Sequence, residues 1–245
     1  MLATKGLTMH LSAPAYSLKR LAKNLSREKK IPLHVALNRV AEAEGFSSWS
    51  LLAARLSADS PADELLSQLL PGNLVLLAAR PNHGKTLLGL ELAVKAVRAG
   101  QSAWFFSLEW AVNDLLGALR TLGTTPASIG QRFHFDNSNE ICAQYIIHQL
   151  DAAGRGTVVV IDYLQLLDQK RDNPELAVQV QSLKAFARER GLVFVFISQI
   201  DRSYDPLEKP LPGLADVRLP NPLNLQQFDK TCFMNKGTIQ ISAVV

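Results

Sequence analysis

Cysteine is nearly absent from this chain. Cys142 and Cys232 are the only two. They stand far apart, and neither has a CxxC partner or a histidine-rich neighbourhood, so the pattern suggests neither a disulfide scaffold nor a zinc module. Long apolar runs are lacking too. The segment Leu192 to Ile197 is far shorter than the ~20 residues a membrane helix needs, and no apolar block follows Lys5 and His10. These absences lead to the expectation of a soluble, cytoplasmic protein with no membrane partner. Aliphatic material is plentiful by contrast: 47% hydrophobic residues in a chain of 245 suffice for one α/β domain with a small appendage.

Two segments belong together chemically. In LVLLAARPNHGKTLLGLELA, Leu74 to Ala93, an apolar strand runs into a loop ending Gly84-Lys85-Thr86 and then into a helix. The main-chain N–H groups of such a loop and helix start point at an anion. Lys85 reaches outer phosphates from there, and Thr86 offers a hydroxyl to magnesium. The usual spacing GxxxxGK(S/T) would put a glycine where this chain has Ala79. In TVVVIDYLQLL, Thr157 to Leu167, a buried strand ends in Asp162, which supplies the carboxylate a magnesium-bound nucleoside triphosphate requires.

Charge is distributed unevenly. Residues 1–60 carry nine Lys and Arg against four Asp and Glu, whereas residues 61–245 carry seventeen against eighteen. A polar stretch closed by Pro61 marks the join, giving a small basic helical module at 1–60 and a larger domain at 61–245. Residues 16–56 read as three short helices. The first has Leu18, Leu21, Ala22 and Leu25 on one face and Lys19, Arg20 and Lys23 among the basic residues around the rest. The second has Pro32 in its first turn, a stripe of Leu33, Ala36, Leu37 and Val40, and a stop at Gly45. The third is capped by Ser47 or Ser48 and carries Trp49, Leu52 and Leu56. A bundle this small has little room for a core of its own. Its basic surface suits nucleic acid or an acidic protein partner, and equally reads as a solvated helix face.

From Pro61 onward strands and helices alternate, so a mainly parallel sheet covered by helices on both faces is expected. Strands fall at 74–78, 103–107, 132–135, 158–161 and 193–197, with a closing antiparallel pair at 230–233 and 238–242. Helices fall at 84–99, 113–122, 139–152 and 174–190, with Gly100 and Gly191 placed as left-handed caps.

The blocks AARPNHGKT, FFSLEW, VVVIDYLQLL and QSLKAFARERGLVFVFISQIDR resemble, in order, spacing and flanking residues, the RecA-like ATPase domain of DnaB-type replicative helicases. The resemblance covers about residues 61–245 and does not extend to the N-terminal helices. It implies a RecA-like P-loop NTPase fold that takes ATP and magnesium and acts on single-stranded DNA, in a homo-oligomeric ring. ATP would sit on Ala79, Arg80, Pro81, Asn82, His83, Gly84, Lys85 and Thr86, with Thr86 and Asp162 holding the metal, partly through water. Glu109 would be the base that orients the attacking water, Lys85 would grip the β- and γ-phosphates, and Gln199 would sense the terminal phosphate. The proline-rich segment 201–225, with Arg202, Lys209 and Arg218, matches the region that faces DNA.

The chain also departs from that pattern. The stretch between Glu109 and Asp162 is shorter, and the closing CFMNKGTIQIS carries Lys236 alone where the family has a basic pair that reaches a neighbour's nucleotide. An arginine finger is worth about 10³ to 10⁵ in turnover, so slow basal hydrolysis is expected without one. An ATP-gated scaffold or loader, recruiting partners through the basic helices with little catalysis, is the alternative. A small-molecule kinase fits less well, because no arginine-bearing lid follows Asp162.

Overall fold

The chain divides between Ser60 and Pro61 into two units. The computed structural model describes residues 15–58, 60–107, 109–168, 170, 172–219, 221–235 and 238–244. Lys236 lies outside the described residues.

The N-terminal unit is α1 (Ala15–Lys29), α2 (Leu33–Ala43) and α3 (Trp49–Ala58). Its core is Leu18, Ala22, Ala36, Val40, Ala41 and Leu52, with Leu25, Ile31, Leu37, Phe46 and Trp49 packed around it. Small residues on α1 and α2 let the helices approach closely enough to enclose this core, more than was expected of a bundle this short. Two leucines assigned to the apolar stripes stand outside it. Leu21 is 55% and Leu33 43% exposed; each flanks the core face instead of centring it. Pro32 is the N-cap of α2 and not part of its first turn. Gly45, at φ +85°, releases the chain after the helix. Ser48 starts α3, its hydroxyl accepting the Leu51 N–H at 3.4 Å and its carbonyl the Leu52 N–H at 3.2 Å.

The larger unit opens with α4 (Pro61–Ser67), which pattern reading missed although Pro61 and the first-turn acids Asp63 and Glu64 are helix-start signals. It continues through β1 (Leu74–Ala79), α5 (Lys85–Arg98), β2 (Ala103–Ser107), α6 (Val112–Thr121), α7 (Pro126–Ile129), β3 (Phe133–Asp136), α8 (Ala143–Gln149), β4 (Val158–Asp162), α9 (Leu176–Arg190), β5 (Val193–Gln199), β6 (Lys230–Asn235) and β7 (Thr238–Ala243). The strands form one sheet in the order β3-β2-β4-β5-β1-β6-β7, parallel except for the β6–β7 pair.

Both faces of the sheet are covered, which is why its central strands are continuous apolar runs. Leu74, Leu76, Ala78, Phe106, Val159, Ile161, Phe194 and Phe196 face α8 and α9. The alternate residues Val75, Leu77, Ala79, Phe105, Val158, Val160, Val195 and Ile197 face α4, α5 and α6. Cys232 is buried on this second face, and burial pushes its thiol up to about 12, so it acts as an uncharged filler. Among the described residues no helix is long and apolar enough to cross a membrane.

The helix expected over 139–152 is only α8. Before it, the Asp136 carboxylate accepts the Ser138 N–H at 2.8 Å and the Ser138 hydroxyl accepts the Glu140 N–H at 3.1 Å. These local turns compete with helix formation. Helix α9 begins at Leu176, two residues later than expected, and ends on Gly191 in the left-handed conformation.

Gly89 lets α5 sit against the sheet. A Cβ there would meet Ile197 Cδ1 at 2.8 Å and Val160 Cγ1 at 3.1 Å. The helix whose first turn carries Lys85 and Thr86 is therefore held at a distance that only glycine allows without a shift of neighbours. Gly89→Ala gains ~1 kcal/mol of helix propensity against an overpacking cost of about 1 to 3. Gly89→Val has no such offset and lowers stability by about 3 kcal/mol or more. Urea denaturation of both variants checks the order, and a Gly89→Val chain as stable as the parent would contradict the close approach.

Candidate active site

The C-terminal ends of the parallel strands form one edge. Strand pairing sets Ala79 beside Gln199 and Ser107 beside Asp162. Alternation sends all four toward the side on which α5 packs, because Val75, Leu77, Phe105, Val160 and Ile197 lie on that side.

Ala79 ends β1 fully buried. It is not among the residues with positive φ, so the backbone does not need glycine there. The loop then turns through Asn82 at φ +63° and Gly84 at φ +87°, with the His83 N–H bonded to the Arg80 carbonyl at 3.3 Å. Pro81, Asn82 and Gly84 are exposed. Gly84 is the N-cap of α5 and supplies no side chain to cap it. The first N–H groups of this 14-residue helix therefore point outward with the positive end of the helix dipole behind them. That arrangement holds an anion.

Lys85 and Thr86 stand on the first turn of α5. Lys85 is only 8% exposed, and Thr86 Oγ1 donates to Asp162 Oδ1 at 3.3 Å. Asp162 is completely buried, and its Oδ2 has no hydrogen-bond partner among the described residues. Burial pushes the carboxyl up to about 7, and the negative charge of Glu109 adds to the rise. The Lys85 ammonium and the hydroxyls of Thr86 and Ser107 oppose it. The two acidic groups thus converge. A hydroxyl and a buried carboxylate with a free oxygen, beside an anion-binding loop, fit a site at which Thr86 and Asp162 would hold a magnesium ion. The cation's charge would replace the hydration Asp162 has lost.

Glu109 is exposed just beyond β2. Next to it the Trp110 N–H donates to Ser107 Oγ at 3.3 Å, and the Trp110 ring stacks on Phe105 with centroids 5.8 Å apart. Trp110 packs and Glu109 projects. Ser107 was not foreseen; the visible signal was a polar residue closing an otherwise apolar strand, as Asp162 closes its own.

Gln199, at the end of β5, is bound to the segment that follows it. Its carbonyl accepts the Arg218 N–H at 2.8 Å, and Arg218 Nη1 reaches its Oε1 at 3.5 Å. Ile200 bridges Val217, and the Asp201 N–H donates to the Asp216 carbonyl at 2.7 Å. The three basic residues expected to face nucleic acid are thus in different situations. Arg218 is tied to Gln199, Lys209 is ion-paired with Asp216 at 2.6 Å, and Arg202 is exposed. Lys19, Arg20 and Lys23 are exposed on α1, in the other unit.

This edge of a mainly parallel, helix-covered sheet is that of a RecA-like fold. The model of the family described as "DnaB-like helicase C terminal domain" matches residues 60–125 and 131–237, and the chain belongs to that family. A probable plasmid replicative DNA helicase of Chlamydia trachomatis is 28% identical over 199 residues, covering 69% of this chain and 44% of that protein. The replicative DNA helicase DnaB of Geobacillus stearothermophilus is 27% identical over 188 residues, covering 64% and 41%. The chain therefore spans less than half the length of these relatives. Among solved structures, one described as an ATPase domain aligns with a TM-score of 0.57 at 22% identity, covering 75% of this chain and 80% of that one. A DnaB-like replicative helicase, described together with its interactions with primase, aligns with a TM-score of 0.56 at 23% identity over 89% and 64%. At these identities the structures share the fold.

Asp162 gives the nucleotide-free chain a pH signature. Its carboxyl titrates at 3.8 in the unfolded chain and at about 7 in the folded one. Between those values the folded state keeps a proton that the unfolded state has released, so stability falls as pH rises through this window. Asp162→Asn removes the dependence. At pH 8 the variant is more stable than the parent by about 2 to 4 kcal/mol, and at pH 4 the two converge. Urea denaturation without nucleotide or metal checks this; the same difference at both pH values would mean that Asp162 is not a buried, strained charge.

Proposed function

We propose that this chain is a DnaB-helicase-like ATPase that acts on single-stranded DNA as part of a homo-oligomeric ring. The observation that carries the reading is the convergence of Lys85, Thr86, Asp162 and Glu109 at one strand edge, beside an uncapped helix start. The chain's membership in the DnaB-like family supports it.

In this reading the N–H groups of the loop from Ala79 to Thr86, with the Lys85 ammonium, bind the β- and γ-phosphates of ATP. Thr86 and Asp162 would hold magnesium, partly through water, and its charge would offset that of the phosphates. Glu109 accepts a hydrogen bond from the attacking water and takes its proton. Its position beyond β2, exposed to solvent yet within electrostatic reach of Asp162, suits a group that receives a water. Gln199 offers a neutral amide to the terminal phosphate. Main-chain bonds from Gln199, Ile200 and Asp201 to residues 216–218 then carry a movement of that amide into the loop behind it.

Lys85→Ala abolishes nucleotide binding. Glu109→Gln keeps nucleotide affinity within a few-fold while turnover falls about 100-fold or more, equivalent to about 3 kcal/mol of transition-state stabilisation. Fluorescent-nucleotide titration and steady-state hydrolysis, each with and without single-stranded DNA, measure the two effects separately. Binding and turnover lost together in Glu109→Gln would make Glu109 a packing residue.

Nucleic-acid contact is assigned to Lys19, Arg20 and Lys23 on α1 and to Arg202. Log affinity for a single strand falls with log salt at about −0.7 per phosphate neutralised. Replacing the three α1 residues with alanine flattens that slope by about 2. An unchanged slope would remove α1 from the contact and leave it to Arg202 and the rest of the 201–218 segment. Elution on a sizing column with and without a non-hydrolysable ATP analogue tests the ring, and a monomer in both cases would exclude it.

A further inference from the structure

Ser107 is 0% exposed at the very end of β2. Parallel pairing with β4 aligns it with Asp162, and strand alternation turns both toward α5. Its Oγ accepts the Trp110 N–H at 3.3 Å, which closes the turn that carries Glu109. A buried hydroxyl that accepts one bond still has a proton to place. The acceptor that strand pairing sets beside it is the Asp162 carboxyl.

We propose that Ser107 is a positioning residue for ATP hydrolysis: its O–H points to Asp162 and its lone pair holds Trp110 N–H, so one hydroxyl sets where Glu109 stands relative to the metal-binding carboxylate. The inference rests on the ATPase reading above and assigns the shared support of its two acidic groups. Lys85 and Thr86 are held by a different element, α5, so loosening the turn affects the placement of the base and leaves the phosphate grip in place. The stacking of Trp110 on Phe105 keeps the turn near its position when the hydroxyl is removed. Loss of the hydrogen bond therefore frees Glu109 by small amounts without unfolding the edge, and small misplacements at a reacting centre lower the rate steeply.

The test compares the full chain with Ser107→Ala, Ser107→Thr, Glu109→Gln and the Ser107→Ala/Glu109→Gln double variant, by steady-state ATP hydrolysis and fluorescent-nucleotide affinity. Ser107→Ala lowers kcat about tenfold with nucleotide affinity within about twofold. Ser107→Thr, which keeps the hydroxyl, recovers most of the rate. In the Glu109→Gln background the alanine change costs nothing further, because the group it positions is gone. An unchanged kcat in Ser107→Ala, a parallel loss of affinity and rate, or a full additional loss in the double variant each overturns the inference while leaving the ATPase reading standing. If the parent chain does not hydrolyse ATP with or without single-stranded DNA, that reading falls and the inference falls with it. Should Ser107→Ala not fold, Ser107→Cys, of similar size but a weak donor, takes its place under the same outcomes.

Discussion

A carboxyl group withdrawn from the surface sets the constraint on this edge of the molecule. Asp162 is completely buried at the end of a central strand, with a second acidic group, Glu109, close enough to push its titration further upward. Left alone, such a pair is unstable in the ionised form, because two like charges and a lost hydration shell act in the same direction. The neighbouring groups answer that problem only in part. Lys85 supplies a positive charge, and Thr86 and Ser107 supply hydroxyls, yet the carboxyl still stands at about 7. A divalent cation would answer the remainder. The edge is thus built in a state of deficit that its proposed metal and nucleotide relieve, and binding there is coupled to the stability of the sheet itself.

The sheet order is what makes that deficit local. Because β4 lies between β2 and β5, and β5 lies beside β1, four neighbouring strands bring their ends, Ser107, Asp162, Gln199 and Ala79, to one edge from segments far apart in the chain, with Gln199 two residues beyond the level of Asp162. Helix α5 completes the arrangement from above, and Gly89 allows it to come near. A parallel sheet with crossovers on both faces collects strand C-termini on one side, so loops can differ while the edge keeps its composition.

Much of this was legible in the residues, and the reasons differ from element to element. Strands with both faces buried are continuous apolar runs, so β1, β4 and β5 stand out by composition alone, and the Gly-Lys-Thr helix start stands out by its chemistry. Their order in the sheet is not a property of any single segment. It is a property of the assembled sheet. What escaped was whatever depends on competition between local bonds or on three-dimensional neighbours. Helix α8 starts late because Asp136 and Ser138 capture main-chain N–H groups. Leu21 and Leu33 read as core by helical spacing, but the core that forms around Leu18, Ala22, Ala36, Val40, Ala41 and Leu52 leaves both exposed. Ser107 lies inside the FFSLEW block, but its place beside Asp162 appears only when β2 is laid beside β4.

The positive charge of the chain follows the same logic of engaged and unengaged groups. In the larger unit, the basic residues behind Gln199 are partly occupied. Lys209 holds Asp216, which also accepts the Gly213 N–H at 2.7 Å, and the Arg218 guanidinium reaches Gln199 Oε1 at 3.5 Å. Asp201, Asp205, Glu208 and Asp216 further offset Arg202, Lys209 and Arg218 within this segment, so its capacity to draw in phosphates from a distance is small. On α1, by contrast, Lys19, Arg20 and Lys23 are exposed and no acidic residue sits in the first turn. Long-range attraction scales with charge left unpaired. The proposed division of labour follows: α1 captures the strand, while the tied segment behind Gln199 reports on the state of the nucleotide and contributes shape more than charge.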